Sequence, residues 1–388
     1  MLDPDRLEAI AEDLGAIQRK RDAHAGVAVC AWILSAFERS TYTEGRQLDA
    51  RRTYEQIGGR LVKKTTFREH SIKLVPVFEE LLRRASARWL ERSPPALRGR
   101  LARFTDVLVP DGCAFKLAQA LAGVYSGTGQ PAEIKLHAIY SVRHGTATRV
   151  ATSAGAVHDS DGLPAAAWER GALYLWDLGF NDYGRFVEAQ TAGSHVVQRL
   201  KDKANPIVLA SYGPAGQRRK IHDEGRALTL DEACSFEFVP TRGVLDLDIE
   251  LRAGRKRIVA RVVRVSYEGE EHWYLTTLPR ALFSPYDIAE IYRIRWECEL
   301  FFRSWKGAVR LDEVRRLSDP KALQVALLSS LLASLLSTEI HAAIAASDPS
   351  EASLEQPADP GAAFPPLRPA RPRAAATRSL DTRAHAAR

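Results

Sequence analysis

The sequence predicts an α/β fold: a sheet covered by helices on both faces, preceded by a helical region and interrupted by a β-rich stretch. Three observations predict it. Residues 1–100 carry apolar positions at helical spacing. From Phe104 the pattern changes to short strand-like runs broken by turns and helix-like segments. From about residue 200 to 278 apolar and polar residues alternate before helices resume. Strands that alternate with crossing helices bury a sheet from both sides.

The helical region opens with "DPDRLEAIAEDLGAIQRKRD", where Asp3-Pro4 is a start signal. Further on, "RTYEQIGGRLVKKTTFREHSIKL" reads as helix, glycine turn and basic helix, a helix-turn-helix pattern, or equally as ordinary helical packing with a solvated basic face. "SPPALRGR" is a break. Next comes "FTDVLVPDG", a short strand ended by an Asp-Gly turn. "EIKLHAIYSV" and "TATRVATSAGAV" follow as strands, "LPAAAWERG" is helix-like, and "GALYLWDLG" is an apolar strand that stops at an acid. The β-rich stretch contains two hairpin turns, "RAGR" and "YEGEE". Helices return at "SPYDIAEIYRIRWECELFFRSWK", with Ser284 as N-cap and Pro285 at the first helical position. Another helix covers "DPKALQVALLSSLLASLLSTEIHAAIAA". The domain expectation is therefore a helical unit at 1–100, an α/β unit at 101–340 with its insertion, and a tail at 341–388. That tail is rich in Pro, Ala and Arg and too poor in large apolar residues to offset chain entropy, so disorder is expected.

Charge is uneven. The net charge is +7, and residues 1–104 hold 20 Lys and Arg against 14 Asp and Glu. A basic front on a nearly neutral body suits a polyanion partner. Four cysteines lie far apart without CxxC spacing, which excludes the common zinc and disulfide frameworks and points to a reducing compartment. The acidic, amphipathic N-terminus is unlike a signal peptide, and serines interrupt the most apolar helix, so a cytoplasmic protein with no membrane partner is expected.

The stretch "IYRIRWECELFFRSWK" carries the sharpest signal. At about 100° per residue, Tyr292, Arg295, Glu299 and Lys306 share one 60° arc, beside a buried stripe of Ile291, Ile294, Cys298, Phe301, Phe302 and Trp305. Glu297 falls on the far side. A ladder of ion pairs from Arg295 through Glu299 to Arg303 accounts for the arc without any function. Two further acids suggest more. Asp111 follows one strand and Asp177 ends another, where burial of a lone carboxylate is costly unless something pairs with it. Three carboxylates from two strands and a helix can hold two Mg²⁺ ions about 3.5 to 4 Å apart, a geometry for in-line displacement at a phosphodiester.

Tyr292, Arg295, Glu299 and Lys306 fit Tyr-x2-Arg-x3-Glu-x6-Lys, and Asp111, Asp177 and Glu299 keep the order Asp, Asp, Glu. In this the chain resembles bacterial insertion-sequence DDE transposases of the insertion-sequence-four type. "DGC", "IKLH", "DLGF" and "YLTTL" resemble further family segments; Cys113 stands where the family usually has Thr.

The resemblance implies an RNase H-like core with a β-rich insertion and Mg²⁺, replaceable by Mn²⁺, on Asp111, Asp177 and Glu299. It implies phosphate contacts from Tyr292, Arg295 and Lys306. The partners it implies are double-stranded DNA, at transposon ends and target, and a second copy of the chain in a synaptic homodimer. Some relatives stack a flipped base on an aromatic residue, a role for which Trp273 is the candidate. The tail departs from the family's packed C-terminal helices, so a second reading is an inactive or truncated relic that binds DNA as a regulator. A third, an unrelated α/β protein, requires the three acids to lie far apart.

Overall fold

The structure is a computed structural model. It describes residues 2–17, 24–38, 45–91, 97–162, 168–180, 182–201, 203–213, 216–240, 243–253, 256–267, 269–296, 299–300, 303 and 317–347. Lys306, Glu297 and most of the tail lie outside these residues, as do Cys298, Phe301, Phe302 and Trp305 of the expected stripe.

Among the described residues five helices open the chain: α1 (Pro4–Asp13), α2 (Ala25–Leu34), α3 (Arg46–Gln56), α4 (Lys64–Ser71) and α5 (Val75–Glu91). The Asp3 carboxylate accepts from the backbone N–H groups of Asp5 and Arg6, the cap that the Asp-Pro pair announces. Between α3 and α4, Gly58 takes φ +106°, a backbone conformation that costs glycine least.

The strands are β1 (Val107–Lys116), β2 (Glu133–Ser141), β3 (Thr146–Ala154), β4 (Leu173–Trp176) and β5 (His195–Arg199). The insertion then adds β6 (Ile207–Tyr212), β7 (Arg218–Lys220), β8 (His222–Asp223), β9 (Arg226–Thr229), β10 (Leu245–Ala253), β11 (Lys256–Tyr267) and β12 (Glu270–Thr276). Among the described residues three shorter helices lie between them: α6 (Asp159–Gly162), α7 (Tyr183–Thr191) and α8 (Leu230–Ser235). After β12 come α9 (Pro285–Arg293) and α10 (Pro320–Ser347).

Among the described residues all twelve strands join one sheet, in the order β3-β2-β1-β4-β5-β12-β11-β10-β6-β9-β8, with β7 beside β6. The insertion is thus no detached subdomain: β12 pairs antiparallel with β5 and carries the sheet onward. Strands β1, β4 and β5 run parallel, while β1 to β3 form an antiparallel meander. The β4-to-β5 crossover is α7, which the sequence reading left unnamed; Asp182 caps it through Gly184 and Arg185 N–H groups.

Strand alternation sorts the two cores. Val107, Val109, Cys113 and Phe115 of β1 face a cluster that takes in α1, α2, α5, α9 and α10. Leu108 faces the other, with Tyr174, Trp176 and Phe186. The first cluster runs without a break from the N-terminal helices to the sheet, so the expected boundary near residue 100 is not a break in the core.

Helix α10, assigned above to the α/β unit, packs on α2 and α5, and Arg46 of α3 donates to the hydroxyls of Ser329 and Ser330. It also runs to Ser347, past the expected start of the tail. Pro320–Ile340 is long and apolar enough to cross a membrane by length and composition, and 56% of its most apolar window is buried inside the protein. Two of the serines that interrupt its apolar pattern, Ser329 and Ser330, are the acceptors for a buried arginine.

Candidate active site

Asp111 does not sit in a turn at the end of a strand, as the Asp-Gly pair predicts. Strand β1 continues through it, pairing Pro110 with Ile139, Asp111 with Ala138 and Gly112 with His137. Asp-Gly favours a turn only where nothing competes, and here nine residue pairs to β2 hold the backbone extended. On the other side, β1 pairs with β4 only at Val107 and Leu108. Pro110, with no N–H to donate, falls where that pairing has ended. The sheet therefore parts between β1 and β4, and Asp111 projects at the parting on the same face as Val109 and Cys113. Asp177 directly follows β4 and continues the parity of Leu173 and Leu175 onto that face.

Helix α9 lies over this face. Ser284 and Asp287 cap its start reciprocally, with Pro285 at the first helical position, as the sequence predicts. The helix does not run smoothly through to Glu299: Ile294 forms a turn, its N–H bonding back three residues to the Ile291 carbonyl at 3.2 Å. Helical residues resume at Arg295, so the single helical wheel holds in two pieces. Ile291 and Ile294 are buried as expected.

Arg295 is the hub. Its guanidinium donates to the Glu299 carboxylate and stands 4.0 Å from Asp111 Oδ2. Burial disfavours its charge, but Tyr292, Asp177 and Glu299 outweigh that and hold the guanidinium more firmly protonated than usual. Burial pushes the Asp111 carboxyl up to about 6; the Gly112 N–H and Arg295 pull it down, while Asp177 and Glu299 push it further up. The three acids thus feel one another around one cation.

Tyr292 is placed otherwise than expected. It is buried, its ring packs on Tyr274 at 5.0 Å between centroids, and its hydroxyl donates to the Trp176 carbonyl at 3.1 Å. The reason is the sheet partner beneath it: the last residue of β4 leaves a carbonyl that a tyrosine on the overlying helix can reach. Tyr292 therefore anchors the backbone just before Asp177 and presents no hydroxyl to a surface.

Trp273 is not brought to the site. On β12 it alternates with Tyr274, so it faces the second core, with the Arg264 guanidinium over its ring at 5.2 Å. A neighbouring residue that the sequence reading missed does arrive. Arg199 ends β5 one residue after the pairing of Trp176 with Gln198, and it is the strand partner of Tyr274. Its charge reaches both Tyr292 and Tyr274. The signal was available: "HVVQR" is an apolar run closed by a cation, as "LYLWD" is one closed by an acid.

The three acids, two arginines and two tyrosines meet on one sheet face where parallel strands end. The model of the family described as "Transposase DDE domain" matches residues 104–336, more than half the chain. The chain belongs to that family. No curated protein matches it. Among solved structures, a cryo-EM structure of a piggyBac transposase synaptic complex with hairpin DNA is similar at a TM-score of 0.40 and 10% identity, over 88% of this chain and 75% of that one.

DDE transposases use divalent metals, and the donor set here suits one: carboxylate oxygens are what hard divalent cations take. The geometry is not closed. Among the described residues no group of three or more His, Cys, Asp or Glu side chains is placed to hold a metal. The guanidinium of Arg295 occupies the space between Asp111 and Glu299. In this transposase chain Asp111 and Glu299 stand on either side of one guanidinium.

A pH dependence follows for the metal-free protein. The folded-state value of Asp111, about 6, lies above its ordinary 3.8, so between these limits the folded chain holds the extra proton. Stability should then fall as pH rises from 4 to 6 and level off above, by up to about 3 kcal/mol at 1.4 kcal/mol per unit. Urea unfolding across that range checks it: Asp111→Asn should lack this component, and an identical profile for both proteins would refute it.

Proposed function

We propose that this chain is a metal-dependent DNA transposase of the insertion-sequence-four type, with an RNase H-like core, that cuts DNA at insertion-sequence ends and joins the freed 3′-hydroxyl to target DNA. What carries the reading is the convergence of Asp111, Asp177 and Glu299, far apart in sequence, around Arg295 at the end of parallel strands. Asp111, Asp177 and Glu299 would hold Mg²⁺ or Mn²⁺, and the bound ions supply an activated oxygen nucleophile and neutralise charge on the leaving oxygen. The protein's part is positional. Two acids stand on the sheet, which fixes their separation; Glu299 closes the set from the helix.

Arg295 has two roles in this scheme. Without metal it neutralises Asp111 and Glu299; with metal and DNA it turns to a phosphate oxygen, where its planar fork fits two acceptors. Tyr292 keeps Asp177 in place, and Lys306 offers a further phosphate contact. The α3-turn-α4 segment exposes Arg60, Lys63, Lys64 and Arg68, a basic surface suited to the DNA of the ends. The working assembly is a homodimer holding two ends, in the cytoplasm.

The test is Asp177→Asn. It should bind a duplex made from the DNA flanking the reading frame as the native protein does, and lose Mg²⁺-dependent nicking. Undiminished nicking would refute the metal assignment. Binding by the native protein without nicking, in Mg²⁺ or Mn²⁺, would favour the DNA-binding relic instead.

A further inference from the structure

We infer that Arg199 is a second phosphate-binding residue, set on the opposite side of Asp177 from Asp111, which grips the DNA strand next to the phosphate that faces the acids. The inference rests on the proposed function and adds a residue outside the Tyr-Arg-Glu-Lys pattern.

The placement comes from strand register. Strands β4 and β5 are parallel and pair residue by residue through Trp176 and Gln198. The next residue on β4 is Asp177 and the next on β5 is Arg199. Neighbouring strands lie about 4.8 Å apart, so the two stand side by side at the end of the sheet. Parity puts them on one face: Leu175 and Val197, two residues earlier on each strand, both belong to the core under α9. Across the sheet end the order is therefore Asp111 on β1, Asp177 after β4, Arg199 on β5 and Tyr274 on β12. The Tyr274 ring is buried against Tyr292, which makes a wall behind Arg199. Arg199 itself is half-buried.

This arrangement brackets the acids with two guanidiniums. Arg295 serves the Asp111 and Glu299 side, and Arg199 the far side of Asp177. A DNA strand crossing the strand ends offers successive phosphates along one line, and an arginine at each end of the acid row takes the charge that the acids and their ions leave unmatched. Arginine suits this task better than lysine because its fork is planar and permanently charged. An arginine needed only to neutralise Asp177 would serve the fold equally well with or without DNA, and that difference is measurable.

The experiment uses the full chain and the flanking-DNA duplex, with binding followed by fluorescence anisotropy over a salt series and nicking by single-turnover assay in Mg²⁺. Arg199→Ala should lower the slope of log affinity against log salt by about 0.9, the loss of one phosphate contact. It should slow nicking at saturating DNA about 10- to 100-fold, with the thermal midpoint and Mn²⁺ affinity unchanged. Arg199→Lys should restore the salt slope and only part of the rate. An unchanged slope in Arg199→Ala would overturn the inference, as would a rate loss accompanied by a fallen midpoint or weakened Mn²⁺ binding, which marks a structural role. If the native protein binds but does not nick, the proposed function fails while the slope still decides Arg199. If the native protein does not bind the duplex, both fall.

Discussion

Glu299→Gln should reduce Mg²⁺-dependent nicking on the order of a thousand-fold or more while leaving the protein folded and able to bind DNA. A metal ligand contributes several kcal/mol of transition-state stabilisation, and each 1.36 kcal/mol is tenfold in rate. The amide keeps the shape of the side chain but removes the negative charge that the cation needs. In the metal-free protein the same change removes the charge of Arg295's partner on the helix and leaves only a neutral amide acceptor, because Arg295 donates to Glu299. Arg295 should then lean on Asp111, now 4.0 Å away, and the Asp111 carboxyl should titrate lower than it does beside two other acids. Two readouts thus separate a catalytic effect from a folding one: rate in Mg²⁺, and the Asp111 titration by NMR without metal. The same substitution at Glu297 should change nicking little, since the helical wheel sets it across from Glu299. Full activity in Glu299→Gln would remove the basis of the site.

Arg46→Ala should destabilise the protein by about 3 to 5 kcal/mol, among the largest effects of any single change away from the site. Arg46 is almost wholly buried in α3 and donates to Ser35 Oγ, the Trp32 carbonyl, Ser329 Oγ and Ser330 Oγ. Its guanidinium also lies 6.0 Å from the Trp32 ring centroid. Alanine would leave a cavity and several buried acceptors without donors, each worth about 1 to 3 kcal/mol. Arg46→Met, which fills the volume but cannot donate, should cost less than alanine and more than nothing. Urea unfolding measures both. A loss below about 1 kcal/mol for alanine would show that α10 is not held by this contact. Because the bonds join α3 to serines 283 and 284 residues further on, the change should also loosen α10 in hydrogen exchange.

Local chemistry was legible in the sequence wherever a short pattern has one physical meaning. Asp3-Pro4 and Ser284-Pro285 start helices because a side-chain acceptor precedes a residue with no N–H, and both caps formed. The β-rich stretch announced itself by period two. The arc of Tyr292, Arg295 and Glu299 was readable because four residues make one helical turn, and Arg295 does meet Glu299. By contrast, "PDG" misled because turn propensity is a local preference, and nine cross-strand pairs on β2 override it.

What the sequence by itself determined is the inventory: three acids in family order, a cationic helix beside them, an α/β core and a basic helical front. Tertiary structure decided which of these groups meet. Strand parity is a two-fold choice that depends on which face is covered, so Trp273 and Tyr274 share a strand yet face different cores. Register between parallel strands set Arg199 beside Asp177, and no spacing along the chain encodes that neighbour. The carbonyl at the end of β4 turned Tyr292 from an expected DNA contact into a support for Asp177. Helix α10 found its place on α2, α3 and α5 because buried serines and a buried arginine satisfy one another only when packed together.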